Sequence, residues 1–385
     1  MPGGFRVPHY LSIRRRAAVW NAETPEVYAF RDGEHSAFQD SHPSAEYESA
    51  CFAECGEHLP EFSMQTSEIP SPSVHPLDSN DELIRLIADV SGEAEITVIR
   101  RLLDEERCIG TNVRNDLRAS NVEPHIWSDE LIQFYRTTRS FLYETAVWNR
   151  APLKLQMRDW MGKFLHRKAP GRKLRILSFG DGLGFDSVYL AKAGHEVTYY
   201  EVADECVTFA QSVFNRNGQK VHIIRDADSI PENSFDVVIS MDVLEHVPSP
   251  PDCVRRFAGW LSNGGWLLTH SPFFFTTWHR VTHLHSNRKY SGCTKLFEQH
   301  GLQLVDGRFF WDPIALQKSD CTPSDRNLLP AWCGGILLRL GRYSNTVHSP
   351  IAQFMARTDS VWRTDLARRL SNIQNSPGSD SGGTF

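Results

Sequence analysis

Apolar positions change their period along this chain. From Ser79 to Trp148 they recur at helical spacing: Leu83, Ile84, Leu86 and Ile87, then Val98, Ile99, Leu102 and Leu103. Ser79-Asn80-Asp81-Glu82 reads as a capped helix start, and Trp127-Ser128-Asp129-Glu130 opens a further helix predicted to run to Trp148. After residue 170 the pattern becomes short apolar runs. Leu174–Phe179 predicts a buried strand, Gly180–Gly184 a turn, Val188–Ala191 a helix ended by Gly194, and Val197–Tyr200 a second strand. Further strands are predicted at Val221–Arg225, Ser234–Met241 and Gly265–Ser271, where Pro272 breaks the run. A helix at Asp252–Leu261, a long insertion over 273–292, a helix near Lys295–His300 and strands near Leu302–Phe309 and Gly335–Leu340 complete seven strands.

The expected fold is therefore α/β: a Rossmann-like seven-stranded sheet with helices on both faces, preceded by an N-terminal helical module. The organisation expected is an irregular polar segment over 1–77, with a short helix near Ser44–His58 and a linker at Ile69–Pro76. The helical module follows over 78–165, the sheet domain over 166–345, and a C-terminal helix over 346–385 with a disordered tail from about Ser371.

The strand–turn–helix–strand unit carries the chemistry. Sheets of this kind bind nucleotides at the carboxyl ends of their strands. Gly180, Gly182 and Gly184 allow a ligand to approach backbone that a Cβ would shield. Glu201, at the tip of the second strand, can accept both hydrogen bonds of a ribose diol. A dinucleotide fingerprint wants a further Gly or Ala where Phe185 or Ser187 stands, so a dehydrogenase is disfavoured; the Gly-Lys-Ser/Thr phosphate loop is absent too. Asp181 and Asp186 make the turn acidic, a poor host for pyrophosphate and a suitable one for a cationic ligand such as S-adenosylmethionine. A carboxylate in Asp226-Ala227-Asp228, after the third strand, could reach an adenine amino group.

With Gly180–Gly184, Glu201, Asp226-Ala227 and the block Phe235–Val247 (FDVVISMDVLEHV) followed by Pro248-Ser249-Pro250-Pro251, residues 172–310 resemble class I S-adenosylmethionine-dependent methyltransferases. They are most similar to the branch that includes the ubiquinone-biosynthesis O-methyltransferases. The resemblance implies methyl transfer to a small-molecule or lipid-like acceptor. It implies a donor site of Gly180, Asp181, Gly182, Gly184, Asp186, Glu201, Asp226, Ala227 and Met241, and N-terminal helices lying over the cofactor and substrate mouth. Phe134, Tyr135, Tyr143 and Trp148 are then candidates for the lid or for its core. One departure stands out: the family's acidic residue two positions before the first glycine is Ser178.

Histidine titrates near neutrality, so His246, His283 and His285 are the candidate general bases. Glu245 and His246 could share a divalent ion only with additional ligands, so no metal is expected. Two other functions fit the same residues: methylation of a macromolecule docked by the N-terminal module, and a non-catalytic nucleotide-binding interaction protein.

Composition narrows the partners. A formal net charge of −6 disfavours a nucleic-acid surface. No apolar run approaches the roughly 18 residues a membrane span needs. Arg14-Arg15-Arg16 is not followed by an apolar core, and the eight cysteines form no framework, so a cytoplasmic protein with reduced thiols is expected. Cys51, Cys55 and His58 read as incidental rather than as a metal site.

Overall fold

The strand Arg175–Phe179 (β1) sits at the centre of the architecture because its Ile176 and Leu177 point to opposite faces and both are fully buried. In the computed structural model, which describes residues 73–308, 313–319, 336, 339–340 and 360–375, β1 pairs in parallel with Glu196–Tyr200 (β2) and Phe235–Met241 (β4). His222–Ile224 (β3) extends the β2 side. Leu261–His270 (β5) extends the β4 side, followed by Ile314–Lys318 (β7) and Leu302–Gly307 (β6). The order is β3-β2-β1-β4-β5-β7-β6, with β7 antiparallel to both neighbours. The chain leaves β1 toward β2 and later returns to β4 on the other side, so a crevice opens at the carboxyl ends of β1 and β4.

Alternation assigns the helices to faces. Ile176, Val237, Leu268 and Ala315 pack with Trp160, Met161, Phe164 and Leu165 of the helix Pro152–Lys168. Their neighbours Leu177, Val238, Leu267 and Leu316 pack on the other face with Val254, Phe257 and Trp260 of the helix Pro250–Trp260. All described residues belong to the unit Gln65–Phe385. The helices that precede the sheet are Asn80–Ser91 (α1), Glu95–Arg107 (α2), Thr111–Ala119 (α3), Asp129–Thr137 (α4), Ser140–Arg150 (α5) and Pro152–Lys168 (α6). Phe185–Lys192 (α7) and Asp204–Arg216 (α8) follow β1 and β2.

Several sequence expectations are corrected. The helix predicted from Trp127 to Trp148 is two helices. Thr138 is extended between them, and its hydroxyl accepts a hydrogen bond from the Ser140 amide (3.2 Å), which starts α5 afresh. The seventh strand is Ile314–Lys318, not Gly335–Leu340. Ile336, Arg339 and Leu340 are helical, in keeping with apolar residues at i and i+4. The tail expected to lose structure at Ser371 is helical through Asn375. That helix, Val361–Asn375, is tied down by the Asn80 side chain, which donates to the Trp362 carbonyl (3.1 Å) and to Asp365 (2.8 Å). The predicted helix near Ser44–His58 and the group Cys51, Cys55 and His58 lie outside the described residues.

Candidate active site

The turn after β1 holds Gly180 at φ 74°, a left-handed conformation, and its amide donates to the Tyr200 carbonyl (2.8 Å). A Cβ at Gly180 would meet Val243 Cγ2 at 2.5 Å. Gly184 is needed for another reason. A Cβ there would meet Phe214 and Ala210 of α8, so its smallness permits close helix packing. Gly184 does not line the crevice.

Gly184 has no side chain with which to cap α7, and Asp181 supplies the cap instead. Its carboxylate accepts from the Asp186 amide (3.2 Å) and the Ser187 amide (2.7 Å). Burial, and then the charge of Asp186, push Asp181 up to about 7. Asp186 is itself buried between two cations of α6: Lys154 Nζ at 2.8 Å and Arg158 Nε at 2.7 Å. Burial raises Asp186, but the Lys154 and Arg158 charges outweigh it and hold the carboxyl at about 2. The turn is therefore not the anionic host that its two aspartates suggest. Its negative charge is balanced from α6.

Glu201 emerges from β2 with Oε2 accepting from the Gly182 amide (3.0 Å) and Oε1 from the amides of Val202 (2.7 Å) and Ala203 (3.1 Å). The carboxylate thus links the tip of β2 to the glycine turn, with lone pairs left over for further donors. Gly180, Asp181, Gly182, Asp186, Glu201 and Met241 all line one cavity of about 730 Å³. Asp226 and Ala227 do not. The Asp226 side chain is exposed and accepts from the Asp228 amide (2.9 Å), and Ala227 packs against the core below.

The far side of the cavity is walled by Trp127, Tyr135, Phe141, Trp148, Phe275 and Trp278. Of the four aromatic candidates in the helical module, Tyr135 and Trp148 reach the cavity, while Phe134 and Tyr143 are core. His246 and His283 also line it, with ring centroids 4.6 Å apart. His246 Nδ1 lies 3.2 Å from the Thr282 carbonyl and 3.0 Å from the Tyr135 hydroxyl. A carbonyl only accepts, which places the proton on Nδ1 and the lone pair on Nε2. Burial lowers His246 to about 4 against the opposing Thr282 hydrogen bond, and burial also lowers His283. His283 Nδ1 is buried with no hydrogen-bond partner. His285 lies outside the cavity and stacks on His125 at 4.4 Å. Glu245, His246 and His283 each bring one metal-competent atom to within 4.8 Å of the others, adding a third member to the pair considered from sequence.

Sequence reasoning passes over other members of the cavity. Asp242, the residue after β4, sits at φ 61° and accepts from His270 Nδ1 (2.6 Å) and Trp148 Nε1 (2.9 Å). Burial raises its carboxyl, but His270, Lys154 and the Trp148 hydrogen bond hold it below the usual carboxylate range. Its place in the FDVVISMDVLEHV block, directly at a strand end, is the signal that could have found it. Glu144 of α5 pairs with Arg280 (2.7 Å), and Cys108 Sγ lies 2.8 Å from His279 Nδ1.

Known proteins are similar to part of this chain. The family described as "Methyltransferase domain" matches residues 177–269, the span from β1 to β5. Over this stretch the chain is similar to a methyltransferase domain, in line with the resemblance drawn from its motifs. A ubiquinone biosynthesis O-methyltransferase of Hydrogenovibrio crunogenus is 35% identical over 109 residues, which is 27% of this chain and 43% of the relative. One from Bordetella avium is 32% identical over 133 residues, 34% of this chain and 50% of the relative. The chain thus spans half or less of the length of these two methyltransferases. A 1,6-didemethyltoxoflavin-N1-methyltransferase of Burkholderia thailandensis, solved with S-adenosylhomocysteine, is 18% identical, with a TM-score of 0.34, covering 45% of this chain and 81% of that one.

Proposed function

We propose that this chain transfers the methyl group of S-adenosylmethionine to a small acceptor with a flat or apolar body. The observation that carries the reading is a shared space: the glycine turn and Glu201 open onto the same cavity that the aromatic wall encloses. The residues fit the donor. Gly180 and Gly182 present backbone to the cavity, Glu201 offers a carboxylate at ribose-binding position, and about 730 Å³ lies within the range of roughly 300–1,000 Å³ common for ligand sites. The bound donor supplies a methyl already activated by its sulfonium leaving group. What remains for the chain is to align the acceptor atom about 3 Å from that methyl and to exclude water. Gly180 and Gly182 would cradle the donor with backbone, Glu201 would hold its ribose, and Met241 would border it. Trp127, Tyr135 and Phe141 would cover the acceptor. No described helix is long and apolar enough to cross a membrane.

His246 is the proton acceptor this geometry favours, with Nδ1 pinned by Thr282 and Nε2 carrying the lone pair, and His283 stands beside it as the alternative. Because the folded state lowers His246 to about 4, its base form persists well below neutrality. The acid limb of the pH–rate profile is therefore expected near pH 4, and histidine ring NMR shifts assigned to His246 should stay constant from pH 7 to about 5.5. A His246 titration centred at about 6.5, the ordinary histidine value, would overturn this assignment. Calorimetric titration with S-adenosylhomocysteine tests the donor site directly: binding is expected, and an absence of heat at millimolar ligand would refute the reading.

A further inference from the structure

Arg280 brings a cation to the acceptor end of the cavity, and most of its hydrogen-bonding capacity is unspent. It lines the cavity together with Glu144, His246 and His283. The side chain is 23% exposed, and Nη1 donates to Glu144 Oε1 (2.7 Å). A guanidinium carries five N–H donors in a planar fork. One is taken by Glu144, and no Arg280 nitrogen is among the buried atoms that lack a partner, so the unused donors reach solvent. The backbone beneath is fixed. The Arg280 amide donates to the Thr277 carbonyl (2.8 Å), and its carbonyl accepts from the His283 amide (3.1 Å). His279 packs so closely on the turn between α2 and α3 that a Cβ at Gly110 would collide with its carbonyl. The fork is thus held in place before any ligand arrives, which lowers the cost of binding one.

The surroundings of the fork identify the group it fits. Asp242, the nearest acid toward the sheet, is engaged by His270 and Trp148, and Glu144 is engaged by Arg280 itself. Neither carboxylate is left calling for a cation, whereas the guanidinium still has donors to give. Burial lowers His246 and His283, and the Arg280 charge adds to it, so the fork lies within electrostatic reach of the proposed proton acceptor. Trp127, Tyr135 and Phe141 provide flat apolar walls in the same cavity. A planar fork matches a planar carboxylate with two parallel hydrogen bonds. Resting on the methyl-donor reading above, we infer that Arg280 selects acceptors that carry a carboxylate close to the methylated atom. The acid docks on the open donors of the guanidinium while the aromatic wall covers its body. Glu144 competes for the same guanidinium and so weakens the selection.

2-Naphthoate and 2-naphthamide, flat probes that differ in the charge of one planar group, test this at pH 7. They are titrated by ligand-observed NMR into the full chain saturated with S-adenosylhomocysteine, which occupies the donor end. The wild-type chain is expected to bind naphthoate roughly tenfold more tightly than naphthamide, the size of one charge-assisted contact. Arg280→Gln should bring the two probes to within about twofold of each other, with S-adenosylhomocysteine binding retained as the sign that the variant is folded. Glu144→Gln frees the guanidinium and should tighten naphthoate by about threefold while leaving naphthamide unchanged, opposite to the loss that a purely structural tie would give. Equal affinity of the two probes for the wild-type chain, a preference that survives Arg280→Gln, or no naphthoate binding at millimolar concentration overturns the inference and leaves the donor site standing. Failure of the wild-type chain to bind S-adenosylhomocysteine overturns the donor reading itself. If Arg280→Gln does not fold, Glu144→Gln decides: naphthoate bound no more tightly there sinks the assignment.

Discussion

Asp186→Ala is expected to lower stability by about 3–5 kcal/mol, the range for breaking a buried ion pair from one side. The carboxylate is 4% exposed and lies between Lys154, 7% exposed, and Arg158, fully buried. Deleting it leaves two largely buried like charges close together without the carboxylate that pairs them. A thermal midpoint lower by roughly 6–20 °C follows for a domain of this size. The exposed pair Lys163–Asp159, at 2.9 Å, serves as the control, because such pairs contribute about 0–1 kcal/mol. Asp159→Ala should scarcely move the midpoint. If Asp186→Ala and Asp159→Ala melt alike, the ion cluster is not holding α6 against α7. The sign with pH is also set. Asp186 is depressed in the folded state, so its contribution is complete above the unfolded carboxyl value of about 3.9 and fades as pH falls toward 2.

Glu201→Ala is expected to weaken S-adenosylhomocysteine binding at least a hundredfold. Two ribose bonds to a carboxylate are worth about 1.5–3 kcal/mol each. The substitution also strips the acceptor shared by the amides of Gly182, Val202 and Ala203, so the glycine turn loses its tie to β2. Ligands lacking a ribose hydroxyl separate these effects. The wild-type chain should discriminate against 3′-deoxy-5′-methylthioadenosine, and Glu201→Ala should not. Discrimination that survives the substitution would place the ribose elsewhere.

Much of this is legible in the sequence because local signals carry it. Six strands, β1 to β6, fall within a few residues of the runs that predict them, and the glycine turn and Glu201 occupy the places that periodicity assigns them. What escapes depends on contacts far apart in sequence. β7 shows only Ile314, Ala315 and Leu316 as an apolar run and is defined by pairing with β5 and β6. Lys154 carries no local mark beyond following Pro152 at a helix start, and its role comes from Asp186 on another helix. Asp242 and His270 meet because β4 and β5 are adjacent, not because of any motif they share. His283 and His285 look equivalent two residues apart, but a 3₁₀ turn begins at His285 and carries it out of the cavity. The acidic turn is legible as residues but not as charge, since its countercharges arrive from α6.

The seam between the helical module and the insertion after β5 bears on how this chain can be re-engineered. Cys108 meets His279, Glu144 meets Arg280, Tyr135 meets His246 next to Thr282, and His125 donates through its backbone to Val281. Each contact joins a residue from before the sheet to one from beyond β4. A chimera that imports only the insertion, or only the helices, from a related chain would inherit half of each contact to His279, Arg280 and Val281. Changing the preferred acceptor therefore calls for exchanging both segments together, with the sheet left in place between them.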